Sequence, residues 1–156
     1  MTEKRLEEAF KEFFTGHTLK NALDFADFIR ANEMVYNGVY EIYYKDQLVC
    51  YIDTPTEKSR TWRVWTVGDY SQEYEGFPIE GRTKEIAWAN VVYCGNCDDA
   101  DCDPGKAEMI FGKAFDNVCR GADNLAMRFD NPNVEALACA KRMVGMRKYL
   151  IDNHME

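Results

Sequence analysis

Histidine and serine are almost missing from this sequence, and their scarcity closes off several chemistries at once. The two serines, Ser59 and Ser71, stand outside any G-x-S-x-G context, which excludes the usual serine-hydrolase arrangement. The two histidines, His17 and His154, fall at a helix junction and near the C-terminus, leaving little material for a Cys–His nucleophile pair. Lysine follows glycine at Gly105-Lys106-Ala107 and Gly112-Lys113-Ala114, but without the glycine spacing and hydroxyl residue of a phosphate loop. With 10 Gly and 4 Pro in 156 residues, the chain lacks the composition of a fibrous or disordered segment. No apolar run reaches the roughly 18 residues of a membrane span, and the opening Met1-Thr2-Glu3-Lys4-Arg5-Leu6-Glu7-Glu8 has no apolar centre of a signal peptide. A soluble, cytoplasmic protein is expected.

Positive charge is also in short supply. Lys and Arg number 19 against 27 Asp and Glu, for a net charge of −8. A nucleic-acid binder gains affinity by releasing counterions from phosphates through a basic face, so nucleic acid is not an expected partner, and neither is an anionic membrane. The short basic stretches Lys58, Arg60, Arg63 and Lys141, Arg142, Arg147, Lys148 read as solvated faces.

What is present suffices for one folded domain spanning 1–156. Apolar residues make up 46% and aromatics 13%, and a chain of this length buries about 70% of its unfolded surface. Leu6, Phe10, Phe13 and Phe14 recur at helical spacing. Gly16 is expected to end that helix, and Thr18 to cap a second carrying Leu19, Ala22, Leu23, Phe25, Ala26 and Ile29, so two N-terminal helices fill 2–32. Over 38–67 the period changes to two: Val39–Tyr44, Leu48–Ile52 and Trp62–Val67 read as strands, the first two joined at Lys45-Asp46-Gln47.

Asp69 to Gly81 reads as an irregular connection. A short helix capped by Thr83 carries Ile86, Trp88, Ala89 and Val92 and runs into Cys94. Glu108–Phe111 and Leu125–Phe129 read as further strands. Asn131-Pro132-Asn133 ends the last strand and opens a helix over 133–153, whose apolar face holds Leu137, Cys139, Ala140, Met143, Val144, Met146, Leu150 and Ile151. The expected fold is α+β: one antiparallel sheet of about five strands packed by N- and C-terminal helices.

The strongest chemical signal is the Cys-rich segment 94–119. Cys94, Cys97, Cys102 and Cys119 follow the spacing C-x2-C-x4-C-x16-C. Four thiolates complete a tetrahedral zinc site, and Gly95 inside the C-x2-C piece permits the tight turn that brings two sulfurs to one ion. A structural zinc is therefore the expected cofactor. Three alternatives stay open: an iron–sulfur cluster, a redox dithiol at Cys94 and Cys97, and a metal-free loop. Asp99, Asp101, Asp103 and Gly105 alternate like a calcium loop, but Pro104 and Ile110 stand where Gly and Glu are required. The acidic 98–103 stretch is also a candidate surface for a protein partner. Cys50 and Cys139 read as core residues.

Nine aromatics fall between Tyr36 and Tyr74. Strand alternation suggests that Tyr40 and Tyr44, with Trp62 or Trp65, line one aromatic face for a small ligand, although core packing accounts for the same residues. The segments Cys94-Gly95-Asn96-Cys97, Ile110-Phe111-Gly112-Lys113, Phe115-Asp116-Asn117-Val118-Cys119, Phe129-Asp130-Asn131-Pro132 and Met143-Val144-Gly145-Met146-Arg147-Lys148, with Val49-Cys50-Tyr51-Ile52, resemble a group of small uncharacterised bacterial cysteine-rich α+β proteins. Similar segments accompany helix-turn-helix regulators, so the resemblance implies effector sensing and brings no enzyme activity with it. No helix-turn-helix is evident in this chain. The expected function is a non-enzymatic binding or sensing domain, with a thiol-redox protein and a protein-interaction module as alternatives.

Overall fold

A computed structural model describes residues 2–38, 40–66, 75–94, 105–119 and 127–154. Helices α1 (Thr2–Phe13) and α2 (Gly16–Ala31) come first, followed by strands β1 (Val35–Tyr36), β2 (Glu41–Tyr44), β3 (Gln47–Asp53) and β4 (Arg63–Thr66). Helix α3 (Gly81–Ala89), strands β5 (Lys106–Ile110), β6 (Lys113–Val118) and β7 (Arg128–Asp130), and helix α4 (Val134–His154) complete the order. The fold is α+β, with terminal helices flanking a five-stranded antiparallel sheet ordered β1-β2-β3-β4-β7.

Local chemistry explains most boundaries. Gly16 does not stop a helix but opens α2: its φ of +62° turns the chain sharply after Thr15, which takes the N-cap position expected of Thr18. Lys45 and Asp46 both have positive φ, 49° and 64°, the backbone of a two-residue turn whose twist suits a hairpin. The Asn133 side chain accepts from the Ala136 N–H at 2.9 Å and so caps α4.

Three expected boundaries shift. Tyr40 and Trp62 flank strands rather than joining them, while Val39 and Val67 lie outside the described residues, as does all of 67–74. Helix α3 ends at Ala89, so Val92 sits beyond it, and Thr83 lies within the helix. Glu108–Ile110 does not enter the main sheet: β5 pairs with β6, a strand that periodicity did not indicate, in a separate two-stranded sheet. Leu125 and Ala126 lie outside the described residues.

Residues 91–93 tie the two sheets together. Val91 bridges antiparallel to Met127 beside β7, and Tyr93 bridges antiparallel to Val118 at the end of β6. The ladder thus continues from β7 through 91–93 into the hairpin.

The core lies between the inner face of the main sheet and the helices. Ile42, Cys50, Ile52, Val64 and Phe129 alternate inward, and α4 crosses above with Leu137, Ala140, Val144 and Ile151. Trp62, fully buried, packs against Phe10 and Phe25 with ring centroids 5.4 and 5.8 Å away. Its backbone exchanges hydrogen bonds with Asn131, which accepts the Trp62 N–H at Oδ1 and donates its own N–H to the Trp62 carbonyl. The indole N–H has no hydrogen-bond partner among the described residues.

Candidate functional site

Two regions contain the residues that could carry function: the corner where the cysteine segment begins and ends, and the outer face of the main sheet.

At the corner, Cys94 is held from both sides by Asn117. The Cys94 N–H donates to the Asn117 carbonyl at 2.7 Å, and Asn117 Nδ2 donates back to the Cys94 carbonyl at 2.7 Å. Asn117 reaches this geometry with φ +62°, a left-handed conformation that asparagine tolerates better than most residues. One residue beyond the Tyr93–Val118 bridge, Cys119 donates its N–H to the Val92 carbonyl at 2.8 Å. Strand alternation puts Cys94 and Cys119 on the same side of this ladder. Gly105, where the described chain resumes, closes against the same spot. A Cβ there would lie 2.6 Å from the Cys94 Cβ and collide with Asn117 Oδ1, so only glycine fits. The segment between Cys94 and Gly105 therefore starts and finishes at one place, beside Cys119.

Cys97 and Cys102, and the acidic residues Asp98, Asp99, Asp101 and Asp103, lie outside the described residues. Among the described residues no three His, Cys, Asp or Glu side chains gather as a metal-holding group. The donor set suits zinc in kind, because thiolates are its preferred soft ligands. A glycine forced against the Cys94 side chain is the sort of close approach that a compact cysteine loop requires.

The other two cysteines are of a different kind. Cys50 is completely buried, and burial pushes its thiol strongly upward. Burial likewise pushes the Cys139 thiol up to about 12, and its Sγ faces the Thr83 carbonyl at 3.6 Å. Both stay protonated at neutral pH and pack in the core.

The aromatic face expected of Tyr40 and Tyr44 with Trp62 or Trp65 does not form among these residues. Trp62 is in the core. Tyr44 points inward from β2, and its hydroxyl donates to Asp152 Oδ1 at 2.7 Å beside Lys45, which binds the same oxygen at 2.7 Å. Tyr40 is exposed and stacks on Tyr51 with centroids 5.1 Å apart. Trp65 alone lies in an organised polar setting on the outer face. The division follows from register: Ile42, Cys50 and Thr66 share the inner face, while Glu41, Tyr51, Trp65 and Arg128 are cross-strand partners on the outer one.

Around Trp65 a charged network spans three strands. The indole Nε1 donates to Asp53 Oδ2 at 2.8 Å, and Arg128 lies over the ring with its Cζ 5.3 Å from the centroid. The Nε atoms of Arg63 and Arg128 each meet Asp130 Oδ1 at 3.0 Å, and Arg63 Nη1 lies 3.9 Å from Asp53 Oδ2. Two arginines and two aspartates balance to zero charge. Arg128 and Asp130 also line a cleft of about 410 Å³, closed on its other side by Ala89, Asn90, Val91, Val92 and Tyr93. Its volume lies within the range of small-molecule sites.

Arg128, Asp130, Asn90 and Tyr93 carried no functional signal in the sequence. The order Arg128-Phe129-Asp130, with a buried Phe129 between two exposed charges, is the trace that marks both charges as neighbours on one face.

Compared with known protein families, with curated proteins and with solved structures, the chain matches none. Among the described residues no helix is long and apolar enough to cross a membrane.

Proposed function

We propose that this chain is a non-enzymatic binding or sensing domain of the cytoplasm, in which Cys94, Cys97, Cys102 and Cys119 hold a structural zinc ion. The observation that carries the reading is the meeting of Cys94, Gly105 and Asn117 beside Cys119. Cys97 is three residues from Cys94, and Cys102 is three residues from Gly105. The covalent chain thus keeps each within roughly 10 Å of that corner, counting at most about 3.5 Å per residue. Four cysteines this close in sequence to one corner of the fold suit a closed metal site better than open catalysis. A zinc ion there would join the ends of 94–119 to the two-stranded sheet, while the ligand half of the reading moves to the outer sheet face around Trp65.

Elemental analysis of untagged protein purified without chelator tests the metal. About one zinc per chain is expected, lost in Cys97→Ser and in Cys119→Ser together with thermal stability, since metal binding and folding are linked in such sites. Protein without metal, whose Cys94 or Cys97 alkylates well below the pH of an ordinary thiol, would replace this reading with the thiol-redox one.

A further inference from the structure

The cleft beside Trp65 has features of a site for a particular kind of molecule. Arg128 spends its Nε on Asp130 and its flat face on Trp65, which leaves both Nη groups without a partner among the described residues. A guanidinium edge of that kind is the fork that carboxylates bind with two parallel hydrogen bonds. Asp130 accepts both arginines at one oxygen, Oδ1, leaving Oδ2 available as an acceptor. Asn90 donates its Nδ2 to the Ile86 carbonyl, so its Oδ1 is a second acceptor, on the facing wall. Tyr93 is about half exposed and makes a ring contact to Phe115, with its hydroxyl unpaired among the described residues.

One cleft therefore offers a forked cation and, beside it, two acceptors. A simple anion would face Asp130 and the protein's net charge of −8; a simple cation would face Arg128. A molecule carrying both charges satisfies both walls without net cost from the overall field. We infer that the cleft formed by Asn90, Tyr93, Arg128 and Asp130 binds a small zwitterion of the α-amino-acid class, its carboxylate on the Arg128 fork and its ammonium on Asp130 Oδ2 and Asn90 Oδ1. Trp65 holds the Arg128 fork in place from below and is a positioning residue. The inference rests on reading the chain as a binding domain and is independent of the metal.

The test is titration calorimetry of the full chain with the free α-amino acids at up to millimolar concentration. For any that bind, the matching amine lacking the carboxylate and the matching acid lacking the ammonium are titrated as well. At least one amino acid is expected to bind, with the amine and the acid each weaker by about ten- to a hundred-fold, the weight of one charged hydrogen-bonding contact. Arg128→Gln should abolish binding. Arg128→Lys keeps the charge over Trp65 but loses the fork, and should weaken binding while leaving the thermal midpoint of the ligand-free protein near that of the parent. Absence of binding by every amino acid overturns the inference. So does an acid that binds as well as its amino acid, which marks a plain anion site, or unchanged affinity in both Arg128 variants. Zinc content measured on the same samples separates the two readings: metal without amino-acid binding removes only the cleft, and binding without metal removes only the zinc site.

Discussion

The two ends of the molecule share one apolar core but differ in how much hydrogen bonding supplements it. At one end, α1, α2 and α4 bury a continuous apolar face of the main sheet around Trp62, and burial of large side chains supplies the stability. At the other, the β5–β6 hairpin and residue 91 bury Val91, Ile110, Phe111, Phe115 and Val118 in the same core, and polar pins add to that burial. The carboxylate of Glu75 accepts the N–H groups of Phe111 and Gly112 at the hairpin turn, where both residues have positive φ. The Trp88 indole donates to the Ile110 carbonyl, and Asn117 brackets Cys94. An apolar core accepts volume-conserving changes, whereas the hydrogen bonds and the obligatory glycine at the corner each act singly.

The largest loss is expected at the core. Trp62→Ala removes the ring that Phe10 and Phe25 surround and should cost about 3–5 kcal/mol, read as a shift of the whole urea unfolding transition. Because the indole N–H has no partner among the described residues, Trp62→Phe should cost clearly less than the lost area implies: it also removes a buried donor that is unfavourable to leave unsatisfied.

Gly105→Ala acts at the other end, at the cysteine corner. Its Cβ would collide with Asn117 Oδ1 and lie 2.8 Å from the Asn117 backbone, and overpacking of this kind costs about 1–3 kcal/mol. The effect should be local: amide hydrogen exchange accelerates at Cys94, Asn117 and Cys119, while the amides of β3 and α4 keep their protection. Equal loss of protection in β3 would show that the corner and the core unfold as one unit.

The smallest effect is electrostatic and sits at the core end. Lys45 and the Tyr44 hydroxyl both bind Asp152, and these bonds hold its carboxyl below the usual aspartate value. A depressed folded value means that the contribution is present above the ordinary carboxylate range and disappears as pH falls through the folded value. Asp152→Asn should therefore lower the melting midpoint slightly at neutral pH, with the gap to the parent closing in acid. A gap of constant size at every pH would assign the loss to packing instead.

Much of the core end was legible in the sequence because its elements keep their periods. The apolar face of α4 matches the residues that recur at helical spacing, and β2 and β4 alternate cleanly between half-buried and buried. The hairpin was not legible for a physical reason. In β6 only Phe115 and Val118 are buried, three residues apart, and the left-handed Asn117 lies between them, so period two never appears. Trp62 read as a strand residue because it precedes Arg63–Thr66 without a break in pattern, yet it lies just outside the strand and fills the helical side. Cys94 and Cys119 were visible as chemistry, while their placement depends on the Tyr93–Val118 bridge, a pairing between residues too far apart in the chain for local periodicity to reveal. Arg128 and Asp130 are ordinary surface charges until the register sets them beside Trp65 and Asn90.

The three-residue tie at 91–93 also affects how this protein behaves in company. By pairing with Met127 on one flank and Val118 on the other, it occupies ladder positions where a neighbouring molecule's strand could otherwise add. At the far side of the main sheet the ladder ends in β1, only two residues long, too short a template for another chain to extend. A chain rich in aromatic strands thus keeps its main sheet from growing into fibres by brevity at one margin and a splice at the other.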